Sequence, residues 1–140
     1  MAMQRTLFIV KPDAVERNLI GGILAHVEGE GFRIAEARLA RLTREEAKTF
    51  YEEHCERPFF GELVDYMTSG PVLLTCLERE EAVPKLREVV GATDPAQAAE
   101  GTVRRKFGKS KQMNSVHASD SPASAERELK LFFGAAVVAG

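Results

Sequence analysis

A chain of 140 residues, 44% hydrophobic and 29% charged, is long enough to bury a core without disulfide or metal staples and reads as one domain over 1–140. Nineteen Lys and Arg against 21 Asp and Glu leave a net charge of −2, which offers no bulk attraction for nucleic acid or an anionic membrane. No apolar run approaches the ~20 residues of a membrane span, and the two cysteines, Cys55 and Cys76, lack metal-ligand spacing. Met1–Gln4 leads straight into a strand pattern rather than a signal peptide, so a reduced, cytoplasmic setting is expected.

Residues 5–11 form a short apolar β run closed by Pro12-Asp13, and Lys11 ends it. Ile20, Ile23, Leu24 and Val27 then mark an amphipathic helix that stops near Gly29-Glu30-Gly31. A second strand is expected from Phe32 to about Leu42. Thr43-Arg44-Glu45-Glu46 is a capping box, and the helix it opens carries Ala47, Phe50, Tyr51 and His54 on one face. A short helix with Phe60, Leu63, Val64 and Met67 ends at Gly70-Pro71, and Val72–Leu77 is a third strand. Glu80–Val90 is expected to be helical, with Pro84 in its first turn and Gly91 as its stop.

From Gly91 to about Gln112 the periodicity fades, apart from one helical turn at Thr102–Phe107. A stretch this long inside a compact domain is usually functional, and it offers Thr93, Arg104, Arg105 and Lys106 instead of core residues. A strand at 115–117 and a helix with Ser121 as N-cap, Pro122 at its first position and Ala125, Leu129, Phe132 and Phe133 inward complete the chain. The order β-α-β-α-α-β-α-loop-β-α fits an α+β, ferredoxin-like βαββαβ sandwich with a four-stranded antiparallel sheet and extra helices.

The familiar phosphate loops are missing. Gly108-Lys109-Ser110 resembles the end of a P-loop, but Val103 stands where its first glycine belongs, and no Gly-rich dinucleotide fingerprint follows a strand. A nucleotide would therefore be held by side chains. Lys11 at a strand end, Arg87 flanking the Val83–Val90 stripe, and Arg104 in the long loop are the candidates, since ammonium and guanidinium groups suit phosphate oxygens. His117 sits between a strand and a helix N-terminus, where backbone N–H groups favour anions. Glu128 falls on the border of the last helix's buried face and can accept from one imidazole nitrogen, leaving the other nucleophilic. His26 and His54 read as packing residues and Cys76 as core. Phe59 and Tyr51 also read as core, unless one offers its ring to a base.

As a set these residues resemble the nucleoside diphosphate kinase family. The matching segments are Lys11-Pro12-Asp13, Arg57-Pro58-Phe59-Phe60, Ser69-Gly70-Pro71-Val72, Gly91-Ala92-Thr93-Asp94-Pro95, Gly101-Thr102-Val103-Arg104 and Asn114-Ser115-Val116-His117-Ala118-Ser119-Asp120-Ser121. The resemblance implies a phosphohistidine at His117 and reversible γ-phosphoryl transfer between nucleoside tri- and diphosphates. It implies that Lys11 and Asn114 contact sugar hydroxyls and phosphate-linked oxygens, that Arg87, Thr93 and Arg104 hold the β- and γ-phosphates, and that Phe59 stacks on the base. Tyr51 would line the pocket, while Ser119 and Glu128 would support the imidazole.

Mg²⁺ is expected to arrive on the nucleotide phosphates and not in a cage of protein carboxylates. A homo-oligomer, tetramer or hexamer, follows from the same likeness. Ala14 and Ala118 stand where the family commonly has glycine, and Lys111 stands where an apolar residue often flanks the base. The alternatives are a regulatory or nucleic-acid-binding protein using the Arg104-Arg105-Lys106 cluster with Lys109 and Lys111, or a phosphatase or phosphocarrier using His117.

Overall fold

The computed structural model describes residues 3–52, 56–92, 94–108 and 115–134. The expectations placed on His54, Cys55, Thr93, Lys109, Lys111 and Asn114 lie outside the described residues. In chain order the elements are β1 (Met3–Val10), α1 (Pro12–Glu16), α2 (Ile20–Gly29), β2 (Arg33–Ala40), α3 (Arg44–Phe50), α4 (Phe60–Met67), β3 (Val72–Glu80), α5 (Ala82–Val90), a 3-10 turn at Pro95–Gln97, α6 (Val103–Phe107), β4 (Val116–Ala118) and α7 (Pro122–Phe133). The four strands form one sheet in the order β2-β3-β1-β4, every neighbouring pair antiparallel, as expected for the ferredoxin-like arrangement.

β1 lies inside the sheet and is covered on both faces, so its run Leu7-Phe8-Ile9-Val10 is apolar without alternation. Leu7 and Ile9 face one core with Phe50, Val64, Met67, Leu129 and Phe132 from α3, α4 and α7. Phe8 and Val10 face the other, with Ile23, Val27, Leu86, Val90 and Val103 from α2, α5 and α6. The period of two along a strand thus divides one apolar run between two helix layers.

Most strand ends differ from the sequence reading by one or two residues, and three differences have a physical cause. β3 runs on to Glu80 because Glu78 accepts Arg5 from β1 at 2.9 Å and Arg33 from β2 at 2.8 Å, and these cross-strand ion pairs extend the sheet past its apolar part. α5 consequently starts at Ala82, after Glu81. α1 is an additional five-residue helix with Pro12 at its start, where proline costs no hydrogen bond. The capping box at Thr43 and Glu46 forms as expected, with both of its hydrogen bonds present. Ser121 caps α7 by accepting from the N–H of Ser124 at 3.1 Å.

Candidate active site

β4 is a three-residue strand at the edge of the sheet. On either side of it the Ser115 carbonyl accepts from the Lys11 N–H at 2.8 Å and the Ser119 N–H donates to the Leu7 carbonyl at 3.4 Å, so alternate backbone groups point at β1. The carbonyls of Val116 and Ala118 point outward. They accept from Arg104 Nη2 at 3.0 Å and Arg87 Nη1 at 3.3 Å. The open edge of the sheet is therefore lined by two guanidinium groups, and a buried Lys11 lies at its inner corner.

Between Val116 and Ala118, His117 projects from the opposite face, across from Ile9 and edge-on to the Phe50 ring with centroids 4.8 Å apart. Its side chain is 19% exposed. Nε2 lies 3.1 Å from Glu128 Oε1, and Ser119 Oγ donates to the same oxygen at 2.8 Å. An ionised carboxylate only accepts, so the ring proton is assigned to Nε2 and the lone pair to Nδ1. Glu128 sits one turn after Ala125 on α7, and Ser121 and Pro122 start that helix immediately behind β4. That connection brings residues 117 and 128 together.

Electrostatics favour this protonation state. Burial lowers the His117 pKa below its ordinary value and the charges of Lys11 and Arg104 lower it further, against the opposing pull of Glu128, so the imidazole is neutral near pH 7. Burial would raise the Glu128 carboxyl, but hydrogen bonds from His117 and Ser119 and the charge of Arg127 hold it below the ordinary carboxylate value. Tyr51 is buried behind Phe50, its ring 4.8 Å from Phe50, and burial followed by the Glu128 charge pushes its hydroxyl pKa up, which keeps it protonated.

The cations show the reverse strain. Burial and then the neighbouring Arg104 lower Lys11 to about 8, and burial and then Arg87 lower Arg104 to about 10. Each of these groups gains from an anion brought among them. Phosphate oxygens fit this donor set.

The structure brings His117, Ser119, Glu128, Lys11, Arg87 and Arg104 to one edge of the sheet, with Tyr51 against the Phe50 ring that His117 also meets. Phe59 differs from the core reading: it is 41% exposed at the N-cap of α4. Cys76 is buried within β3, as expected. Arg105 donates to the Ala96 carbonyl at 3.3 Å and Lys106 Nζ lies 3.3 Å from His26 Nδ1, so both basic residues are engaged within the chain.

Two residues at the site escaped the sequence reading. Asp120 Oδ1 accepts from Arg87 Nη1 at 3.0 Å, across 33 positions that no local pattern spans. Arg127 donates to the Thr49 and Phe50 carbonyls and lies 3.8 Å from Glu128 Oε2, tying α7 to the end of α3. Its place beside Glu128 was visible in the sequence, but the carbonyls it caps were not.

Among the described residues, no group of three or more His, Cys, Asp or Glu is placed to hold a metal ion. No helix there is long and apolar enough to cross a membrane.

Comparison with known proteins identifies the family and matches the fold. A family model described as "Nucleoside diphosphate kinase" matches residues 4–138. A nucleoside diphosphate kinase of Methylobacterium nodulans is 58% identical over 133 residues, covering 95% of each chain. One from Halorhodospira halophila is 54% identical over 135 residues, 96% of each. The solved Aquifex aeolicus nucleoside diphosphate kinase superposes with a TM-score of 0.94 at 46% identity, covering 98% of this chain and 99% of that one. A Halobacterium salinarum nucleoside diphosphate kinase solved in complex with CDP gives 0.91 at 40% identity, covering 94% and 88%. The chain belongs to the nucleoside diphosphate kinase family.

Proposed function

We propose that the chain transfers a γ-phosphoryl group from a nucleoside triphosphate to His117 and then to a second nucleoside diphosphate, in a ping-pong cycle. The observation that carries this reading is the imidazole on Glu128 through Nε2, with Nδ1 left to attack, beside Lys11 and Arg104. Nδ1 attacks the γ-phosphorus, the bond from phosphorus to the β,γ-bridging oxygen breaks, and the diphosphate leaves with that electron pair. A diphosphate with a different base then enters and its terminal oxygen takes the phosphoryl group, restoring neutral His117. Splitting the transfer into two displacements lets one pocket serve both nucleotides in turn.

Phosphoryl transfer asks the protein mainly for position and charge. Lys11, Arg87 and Arg104 neutralise phosphate oxygens, Thr93 adds a hydroxyl to the hold on the β- and γ-phosphates, and Asn114 with Lys11 contacts the sugar hydroxyls and phosphate-linked oxygens, as the family resemblance implies. Glu128, held by Ser119, keeps the proton on Nε2 and stabilises the charge that develops on the ring. Phe59 offers an exposed face on which any base can stack, which matches broad base tolerance. Mg²⁺ belongs to this scheme as part of the substrate, arriving with the nucleotide, where it would offset phosphate charge. The reading extends to a single domain over 1–140 that works in the cytoplasm as a tetramer or hexamer, and light scattering on the purified protein tests the assembly.

The direct test is incubation with γ-labelled triphosphate and Mg²⁺, followed by an unlike diphosphate. Acid-labile label on His117 that moves to the diphosphate is expected. His117→Ala should lose both half-reactions and keep nucleotide binding. Label passing to water or to another protein would point instead to a phosphatase or phosphocarrier.

A further inference from the structure

Arg17 contacts none of the groups assigned to the nucleotide, yet it joins the two segments that carry them. It follows α1 directly and its side chain is 29% exposed. Nη2 donates to the Phe107 carbonyl at 2.6 Å and lies 3.2 Å from Ser115 Oγ and 3.1 Å from Asp13 Oδ2, and Nε donates to the Asp13 carbonyl at 3.2 Å. Asp13 is held from the far side by α4, whose Tyr66 hydroxyl donates to Oδ1 and accepts the Asp13 N–H at 3.3 Å. The guanidinium is thus fixed from behind before it reaches forward.

What it reaches are the last residue of α6 and the residue just before β4. The Phe107 carbonyl belongs to the final helical turn, where no intrahelical donor remains, and it also accepts from Ser115 Oγ at 2.8 Å. Ser115 is fully buried with φ +77, a left-handed conformation that a side-chain-bearing residue keeps only when its surroundings hold it. Phe107 stands one helical turn beyond Arg104. Ser115 stands two residues before His117, and its carbonyl holds the Lys11 N–H. Arg17 therefore adds to the direct Arg104–Val116 and Ser115–Phe107 hydrogen bonds in tying the segment that carries Arg104 to the one that carries His117.

We propose that Arg17 is a positioning residue for phosphoryl transfer, clasping the end of α6 to the start of β4 so that Arg104 and His117 meet the same phosphoryl group. The inference rests on His117 being the phosphorylated residue. Lysine at this position would supply a charge without the planar fork that spans Asp13 and Phe107 together.

The test compares wild type, Arg17→Ala and Arg17→Lys with two phosphoryl donors. One is a nucleoside triphosphate, which needs Arg104. The other is phosphoramidate, a small donor with no nucleoside diphosphate to be held. With the triphosphate, Arg17→Ala should lose roughly tenfold or more in kcat/KM, the size expected for losing charged hydrogen bonds. Arg17→Lys should fall between it and wild type, and millimolar guanidinium should restore part of the Arg17→Ala loss. Phosphorylation of His117 by phosphoramidate should stay close to wild type in both variants.

Unchanged triphosphate kinetics would overturn the proposal. So would an equal loss with both donors, which marks a general loss of fold. If Arg17→Ala does not fold, the same split between donors is required of Arg17→Lys. A wild type that the triphosphate never phosphorylates on His117 would overturn the parent reading instead.

Discussion

At the scale of single residues, the pairing of His117 with Glu128 is the contact on which the proposed role of this edge-strand histidine as a nucleophile depends. Glu128 both orients the ring and pulls its pKa upward, while burial, Lys11 and Arg104 pull it down. Removing the carboxylate charge should therefore move the acid limb of kcat/KM to lower pH, and Lys11→Met should move it up. The activity change has its own sign. Glu128→Ala loses the hydrogen bond to Nε2 and leaves Ser119 Oγ without its acceptor. A charged hydrogen bond is worth ~1.5–3 kcal/mol, so single-turnover phosphorylation should slow roughly ten- to hundredfold. Glu128→Gln keeps an acceptor and should lose less. A wild-type rate in Glu128→Ala would reduce the residue to an ordinary buried acid.

The elements around the site depend on close backbone approaches as much as on side chains. Gly91 ends α5 at φ +90 and ψ −176, a region essentially reserved for glycine. A Cβ there would lie 2.7 Å from Thr102 Oγ1, the N-cap hydroxyl of α6, and the Gly91 carbonyl itself accepts from Arg104 Nη1 at 3.1 Å. Gly91→Ala should therefore combine strain and clash, costing ~2–4 kcal/mol of stability and lowering kcat/KM as Arg104 shifts. Gly101 also has positive φ, but a Cβ there meets nothing within 4 Å. Its alanine variant should cost only ~1–2 kcal/mol and leave nucleotide kinetics nearly unchanged. Thermal melts and steady-state assays on the two variants separate strain from displacement.

The same elements show what a sequence reveals. Long periodic segments such as α2 and α7 were readable because one helical face is buried along their length. The capping signals at Thr43 and Ser121 were readable because they act within four residues. α1 escapes a periodicity reading because five residues are too few for it, and Pro12, which closes the apolar β run, also starts the helix. The extension of β3 rests on Glu78 meeting arginines from two other strands, a long-range event. The His117–Glu128 contact was legible because a strand end leads directly into a helix. The Arg17 clasp was not: its helical spacing from Asp13 is local, but its value comes from Tyr66, Phe107 and Ser115.

For the molecule as a whole, the sheet keeps two apolar layers apart and gathers buried cations at one edge, so the proposed role of these cations in phosphate binding predicts a link between binding and stability. Lys11 is 9% exposed and its pKa falls from 10.5 to about 8 in the fold. Between those values the unfolded chain holds a proton that the folded protein has released, so stability from this group rises with pH across the window. Below about 8 the buried ammonium keeps its charge, which the Asp13 charge offsets only in part, and there a polyphosphate gains most by approaching it. The rise in melting temperature caused by a saturating nucleoside diphosphate should accordingly shrink from pH 7.5 to pH 10, with the unliganded protein losing less stability over that range than its other titrating groups alone would dictate. Lys11→Met isolates the effect. It should melt higher than wild type near neutral pH without nucleotide, show a smaller nucleotide-induced shift, and lose most of the pH dependence of that shift. A nucleotide-induced shift equally pH-dependent in wild type and Lys11→Met would remove Lys11 from the phosphate site.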